Sequence, residues 1–393
     1  MAYLELVKTE RDENMHIVIA PDSFKESLTA LEAAEAIESG FKSVMPDETY
    51  TKIPMADGGE GTVQSIVDAT GGSVKKLTVT GPLHEPVEAF YGLSGDKQLA
   101  VIEMAASSGL EKVAKENRNP LHTTTLGFGE LIKDALDEGV KEILVGIGGS
   151  ATNDGGAGMV MSLGGKLLDK DGRSIAPTGE GLGDLHSIDI SGLHPRIKEV
   201  TIKVACDVDN PLTGKNGASY VYGPQKGGTE EQIEQLDGYL AHYAKMVKKA
   251  VGKEIEHVPG AGAAGGLGAG LMAFLDAELQ RGGDLLADLL DLEETIKEAD
   301  LVITGEGGIN HQTIYGKTPV AVAKVAKKYD VPVIAIAGSL SSGYDTVHDE
   351  GIHAVFSIIP ELSPLDALLK NGYENLTSTA ANIASVVKLS QKL

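Results

Sequence analysis

Glu142-Ile-Leu-Val-Gly-Ile-Gly-Gly-Ser-Ala-Thr-Asn-Asp-Gly-Gly156 is the stretch from which the chain is best read. Glu142–Val145 is a short apolar run of the kind that forms a buried strand. The chain then enters a loop rich in glycine. Residues without Cβ at Gly148, Gly149, Gly155 and Gly156 let backbone amides turn toward a phosphate, and Ser150 and Thr152 add hydroxyl donors. Asp154 sits inside this anion-friendly loop and would repel a phosphate unless a cation lay between them. A Mg-nucleotide site has that combination. A tight, solvated loop with no ligand is the competing reading of the same residues.

Working outward, the same arrangement recurs. His16-Ile-Val-Ile-Ala20 reads as a buried strand, followed by the loop Pro21-Asp-Ser-Phe-Lys-Glu-Ser27 and a helix whose start has the capping-box pair Thr29 and Glu32. A second strand, Thr49–Ile53, leads into Pro54-Met-Ala-Asp-Gly-Gly-Glu-Gly61, where Asp57 and Glu60 flank two glycines. They suit Mg²⁺ or substrate hydroxyls, or simply an acidic helix start. Val204–Thr213 is another strand ending in acids, with Asp207 and Asp209 as candidate metal ligands. Gly223-Pro-Gln-Lys-Gly227 offers Lys226 to an anion. Pro259–Gly270, which contains Gly265 and Gly266, leads into an apolar helix; its glycines serve either an anion or close packing. Asp300–Thr304 is a strand, followed by a loop over Gly305-Glu-Gly-Gly-Ile-Asn-His-Gln312.

In open α/β sheets, ligands bind at the loops after the carboxyl ends of strands. Both ends of the chain alternate strand and helix, whereas the stretch from Lys75 has short strands joined by Gly and Pro turns, including a hairpin about Lys170-Asp-Gly172. The expected fold is therefore α/β, with a discontinuous parallel-sheet domain over 15–77 and 287–393 and a second α/β domain inserted over 78–286. Residues 1–14 read as an N-terminal extension. A cleft between the domains is the expected ligand site.

Composition narrows the function. A chain of 393 residues, with a formal charge of −23, is a poor partner for nucleic acid or an anionic membrane. ATP can still bind where local lysines and Mg²⁺ reverse the field. The single Cys206 cannot form an intrachain disulfide and reads as a buried thiol in a cytoplasmic protein. There is no membrane-length apolar run and no signal peptide. A homodimer is compatible with the sequence. Gly146–Ala151 and Gly260–Gly265 match dinucleotide patterns without the surrounding unit that would make an NAD-dependent dehydrogenase, and Gly316-Lys317-Thr318 fails as a Walker A motif because position 311 is His. Paired metal spacing among the histidines and a nucleophile elbow are both missing.

Taken together, Ile19–Leu28, Pro54–Thr62, Gly148–Gly158, Ala205–Pro211, Gly223–Gly227, Pro259–Gly270 and Thr304–Lys317 resemble the bacterial glycerate kinase family, in the same order over residues 15–390. The resemblance implies an ATP-dependent kinase of two unlike α/β domains, one flavodoxin-like and one resembling a restriction-endonuclease core, with D-glycerate as acceptor. The 2-hydroxyl is the expected site, giving 2-phosphoglycerate, with 3-phosphoglycerate the other product to consider. Loop chemistry and motif match together assign Gly148, Gly149, Ser150, Thr152, Gly265 and Gly266 to the nucleotide. Asp154 and Asp207 are assigned to Mg²⁺ or acid–base work, and Asp22, Ser23, Glu60 and Lys226 to the substrate. Lys25, Asp57, Glu306 and Asn310 complete the catalytic set. The chain departs from the family pattern Gly-Glu-Gly-Arg-x-Asp-x-Gln at Gly308 and Asn310. Gly cannot clamp an anion as Arg does, and Asn keeps only a neutral amide oxygen. A catalytically impaired descendant that binds glycerate or nucleotide is the alternative reading.

Overall fold

A computed structural model describes residues 14–391. Residues 1–13 of the expected extension lie outside the described residues. In chain order the strands are β1 (His16–Pro21), β2 (Thr49–Lys52), β3 (Ser73–Thr80), β4 (Pro86–Leu93), β5 (Leu99–Glu103), β6 (Glu142–Gly146), β7 (Lys166–Leu168), β8 (Ser187–Asp189), β9 (Thr201–Ala205), β10 (Glu278–Gln280), β11 (Leu301–Ile309), β12 (Val333–Leu340) and β13 (Ala354–Ser357).

The chain divides into two compact units. One holds the chain up to Pro54, Leu290–Ile314 and Thr318 onward; the other holds Met55–Leu289 with Tyr315–Lys317. The first boundary therefore falls at Pro54, where the sequence placed it at residue 77. The reason is local: the helix Thr62–Thr70 packs on β4 and β5, and β3 pairs with β4 along its whole length. This segment belongs to the inserted unit's sheet.

The first unit is a five-stranded parallel sheet of order β13-β12-β11-β1-β2. Numbered within the unit this is 2-1-3-4-5, the flavodoxin order, whose switch point lies between β1 and β11. The central strands are apolar on both faces because helices cover both: Ile17, Ile19 and Ile303 are buried with Ala33, Ile37, Phe41 and Ile383 on one face, and Val18 and Val302 are buried on the other, where the helix Thr318–Lys328 packs. The helix Ala30–Val44 starts on the expected capping box, in which Thr29 Oγ1 accepts from the Glu32 amide while the Glu32 carboxylate accepts from the Thr29 amide. β11 runs on through Ile309, in register with Leu340. Gly305–Ile309 is thus strand rather than loop, because β12 continues alongside and takes up its backbone groups.

The second unit has a six-stranded sheet of order β10-β9-β6-β5-β4-β3. β3, β4 and β5 are antiparallel and β5, β6, β9 and β10 parallel, so all of its parallel strands deliver their carboxyl ends to one edge. The turn at Lys170-Asp-Gly172 forms, but the chain returns with a single bridge between Leu168 and Ser174; β7 pairs instead with β8. A distant strand wins here because Leu167 is fully buried in the core of the unit. The helix Ala263–Leu275 is followed by Glu278–Gln280, which joins β9 as a sixth strand.

Candidate active site

In the inserted unit, three loops meet at the carboxyl ends of β5, β6 and β9. Gly282 has no room for a side chain, since a Cβ there would lie 1.8 Å from the Asp57 carbonyl. The Gly282 amide donates to Asp207 Oδ1 at 2.9 Å, and these contacts bring Asp57 and Asp207 together from positions 150 residues apart in sequence. Burial, with the Asp57 charge beside it, lifts the Asp207 carboxyl to about 6. Arg281 donates to the Asp207 carbonyl and, at 2.7 Å, to Asp209, so Asp209 is held outward on an arginine. Asp57 Oδ1 accepts from the Gly59 amide, and Glu60 is exposed.

Glu103 went unnoticed in the sequence, although an acid closing the apolar run of β5 was a visible signal of the same type as Asp207. It is buried and accepts from the Val63 amide at 2.9 Å, fixing the start of the helix that follows the Asp57–Glu60 loop. Burial lifts its carboxyl to about 6, with the Glu60 charge adding to the effect.

The glycine loop after β6 splits into an outer and an inner half. Gly148 and Gly149 are exposed, and neither N–H has a partner among the described residues. They could cradle an anion. The residues that follow turn inward. Ser150 and Thr152 are buried, and Lys226 Nζ donates to Ser150 Oγ and to the Thr152 carbonyl, both at 2.7 Å. Lys226 was expected at the substrate, but it is fully buried and holds this loop in place. Desolvation lowers its ammonium to about 7, opposed by the Asp154 charge.

Asp154 requires the largest correction. It is fully buried, and its two oxygens accept from the Thr125 amide and hydroxyl and from the amides of Gly156 and Gly158. A carboxylate so placed closes the starts of the helices Leu126–Asp137 and Ala157–Ser162 and has no face left for a metal. Gly265 and Gly266, expected at the nucleotide, pack against this loop. Both are buried in left-handed conformation, and a Cβ at Gly265 would lie 1.9 Å from the Thr152 carbonyl. They permit close packing against the loop.

In the first unit, the switch point gathers Asp22, Ser23 and Lys25 after β1 with Glu306 and Asn310 from β11 and beyond. Asp22 Oδ1 accepts from the Ser23 amide and Oδ2 from the Thr318 hydroxyl, tying β1 to the start of the helix Thr318–Lys328. Glu306 is buried and accepts from Thr313 Oγ1 at 2.8 Å, and the same hydroxyl accepts from the Asn310 amide. Asn310 Oδ1 accepts from the Gln312 amide, an Asx turn that shapes the loop. Lys25 is exposed and makes neither a hydrogen bond nor an ion pair among the described residues. A Cβ at Gly308 would meet only Ser339 Oγ, at 3.4 Å, so the position has space for a side chain.

The comparisons with known proteins agree over nearly the whole chain. The model of the glycerate kinase family matches residues 17–388. The chain belongs to the glycerate kinase family. Among curated relatives, it is 56% identical over 379 residues to the glycerate kinase of Bacillus subtilis (strain 168), covering 96% of this chain and 99% of the relative. It is 54% identical over 378 residues to the glycerate 2-kinase of Escherichia coli (strain K12), with 96% and 99% covered. A crystal structure of a chain described as a candidate glycerate kinase 2 from Salmonella typhimurium LT2 superposes with a TM-score of 0.91 at 55% identity, covering 97% of this chain and 100% of that one. A glycerate kinase is a phosphotransferase, and this family member is accordingly an enzyme. Among the described residues, no helix is long and apolar enough to cross a membrane, and no group of three His, Cys, Asp or Glu is placed to hold a metal ion.

Proposed function

We propose that the chain transfers the terminal phosphoryl group of ATP to D-glycerate at the 2-hydroxyl, with Mg²⁺ as the companion ion. The carboxylate pair Asp57 and Asp207, beside the open amides of Gly148 and Gly149, carries this reading. Phosphoryl transfer asks mainly for positioning and charge neutralisation, and an acidic pair in which burial, with the Asp57 charge beside it, lifts Asp207 fits Mg²⁺ arriving with nucleotide phosphates. Asp57 would hold the ion, which when bound would supply charge neutralisation to the phosphoryl oxygens, and this leaves Asp207 for the proton. Asp207, with a pKa of about 6, is ionised at neutral pH and basic enough to accept the proton of the attacking hydroxyl. Its Oδ2 remains for this purpose, since Oδ1 is occupied by Gly282. Gly148 and Gly149 bind phosphoryl oxygens through their amides, and Glu60 meets substrate hydroxyls; within the first unit, Lys25 is the side chain for an anion. Asp22 and Glu306 hold the loops of the switch point in place. The name of the Escherichia coli relative supports the 2-position.

The test is consumption of ATP with D-glycerate and Mg²⁺, with the phosphorylated product resolved by NMR. Turnover to 2-phosphoglycerate that stops when the metal is chelated is the expected result. A product carrying phosphate at the 3-position would overturn the regiochemistry alone. A second reading, binding with negligible turnover, is motivated by Gly308 and Asn310. The space at Gly308 makes it testable: a Gly308→Arg/Asn310→Asp variant that turns over while the parent does not would establish it.

A further inference from the structure

The first unit contains a cavity of about 120 Å³ at the carboxyl ends of β11 and β12. Its walls are apolar, supplied by Ile358 and Ile359 after β13 and by Leu365 and Leu368 of the short helix Leu365–Lys370. Gly307 and Gly338 contribute bare backbone to its lining. They lie so close that a Cβ on Gly338 would come 2.4 Å from the Gly307 carbonyl, so this part of the cavity carries no side chain. Lys25 also lines it, exposed and without an ionic partner among the described residues. The helix Leu365–Lys370 buries none of its residues, and Leu365 is 66% exposed.

We propose that this cavity takes the purine base of the nucleotide, with Lys25 at its mouth for the phosphates that follow. The inference rests on the kinase reading and assigns the base a place. Of the two substrates, glycerate has a polar group on each of its three carbons, and apolar walls would strip water from them without return. The nucleotide alone carries an apolar planar ring attached to an anion. Two polar side chains on the lining, Ser339 and Asn375, make no side-chain hydrogen bond among the described residues, and an amide can both donate to and accept from ring nitrogens and an exocyclic amine. Ser27, also on the lining, has already donated its hydroxyl to the Leu369 carbonyl.

The experiment uses the full chain and compares ADP with inorganic tripolyphosphate by titration calorimetry. Ile359→Trp fills the cavity from a position 41% exposed, and Leu365→Trp fills it from one 66% exposed. Both variants are expected to weaken ADP about tenfold or more while leaving tripolyphosphate as in the parent. Lys25→Met is expected to weaken both ligands. Two tryptophan variants that keep the parent's circular dichroism and bind ADP as it does would overturn the proposal. Since binding is read without turnover, a parent that binds ADP in the cavity but never phosphorylates glycerate would sink the kinase reading and leave the base site standing.

Discussion

Asp154 and Asp207 looked alike in the sequence, each an acid in a glycine-bearing loop after a strand, and their environments separate them. Asp154 accepts four hydrogen bonds in a fully buried site, so Asp154→Ala should cost about 3 kcal/mol or more of stability in denaturant unfolding, since several buried donors lose their acceptor together. Asp207→Asn should leave the melting transition nearly unchanged and lower kcat about a hundredfold or more. An Asp207→Asn variant with parental kcat would remove this residue from the mechanism. The parent's kcat/KM should rise through about pH 6 as Asp207 ionises, and the variant should lack that limb. The stability linkage runs the other way. The Asp207 and Glu103 carboxyls sit above their ordinary values in the folded protein, so the native state binds more protons than the unfolded chain between about pH 4 and 6. Their contribution to stability is therefore greatest in acid and falls as pH rises through that window. Lys226, lowered to about 7, makes the native state bind fewer protons from there up to the ordinary lysine range, so its contribution improves with rising pH. A Lys226→Met variant should lose that alkaline gain in pH-dependent melting curves.

At the level of elements, the glycines divide by what surrounds them. Gly265→Ala should abolish soluble expression, or cost more than about 3 kcal/mol, because the position combines a left-handed φ of 69° with a carbonyl 1.9 Å from the new carbon. Gly308→Ala should fall within about 1 kcal/mol of the parent, since it meets only a serine hydroxyl at van der Waals distance. Comparable melting temperatures for these two variants would refute the distinction. The same scale explains which elements were legible. The capping box at Thr29, the helix Glu230–Val251 and the run of β1 are written in local residues and periodicity. β8, β10 and the far half of β11 are not, because each is a strand only by virtue of a neighbour that the sequence does not show beside it.

At the scale of the whole molecule, two separate apolar cores support the two units, one built on β5, β6 and β9 and the other on β1 and β11. Calorimetric unfolding should therefore exceed a single two-state transition, with a van't Hoff enthalpy below the calorimetric one. Equality of the two enthalpies would mean that the units unfold as one.

The order of apolar runs, glycine loops and acids along the chain was enough to determine an α/β protein with a discontinuous first domain, and the motifs together were enough to point to its family. Those features are local, and they depend on residue type and spacing. Which acids stand beside another carboxylate and which hold loops was decided by tertiary structure alone. Asp207 gained Asp57 as a neighbour, Asp154 gained four donors, Lys226 was sealed behind Ser150 and Thr152, and Gly265 was pressed against a carbonyl. Burial and partners set the protonation, reach and freedom of a side chain, and both come from residues far away in sequence.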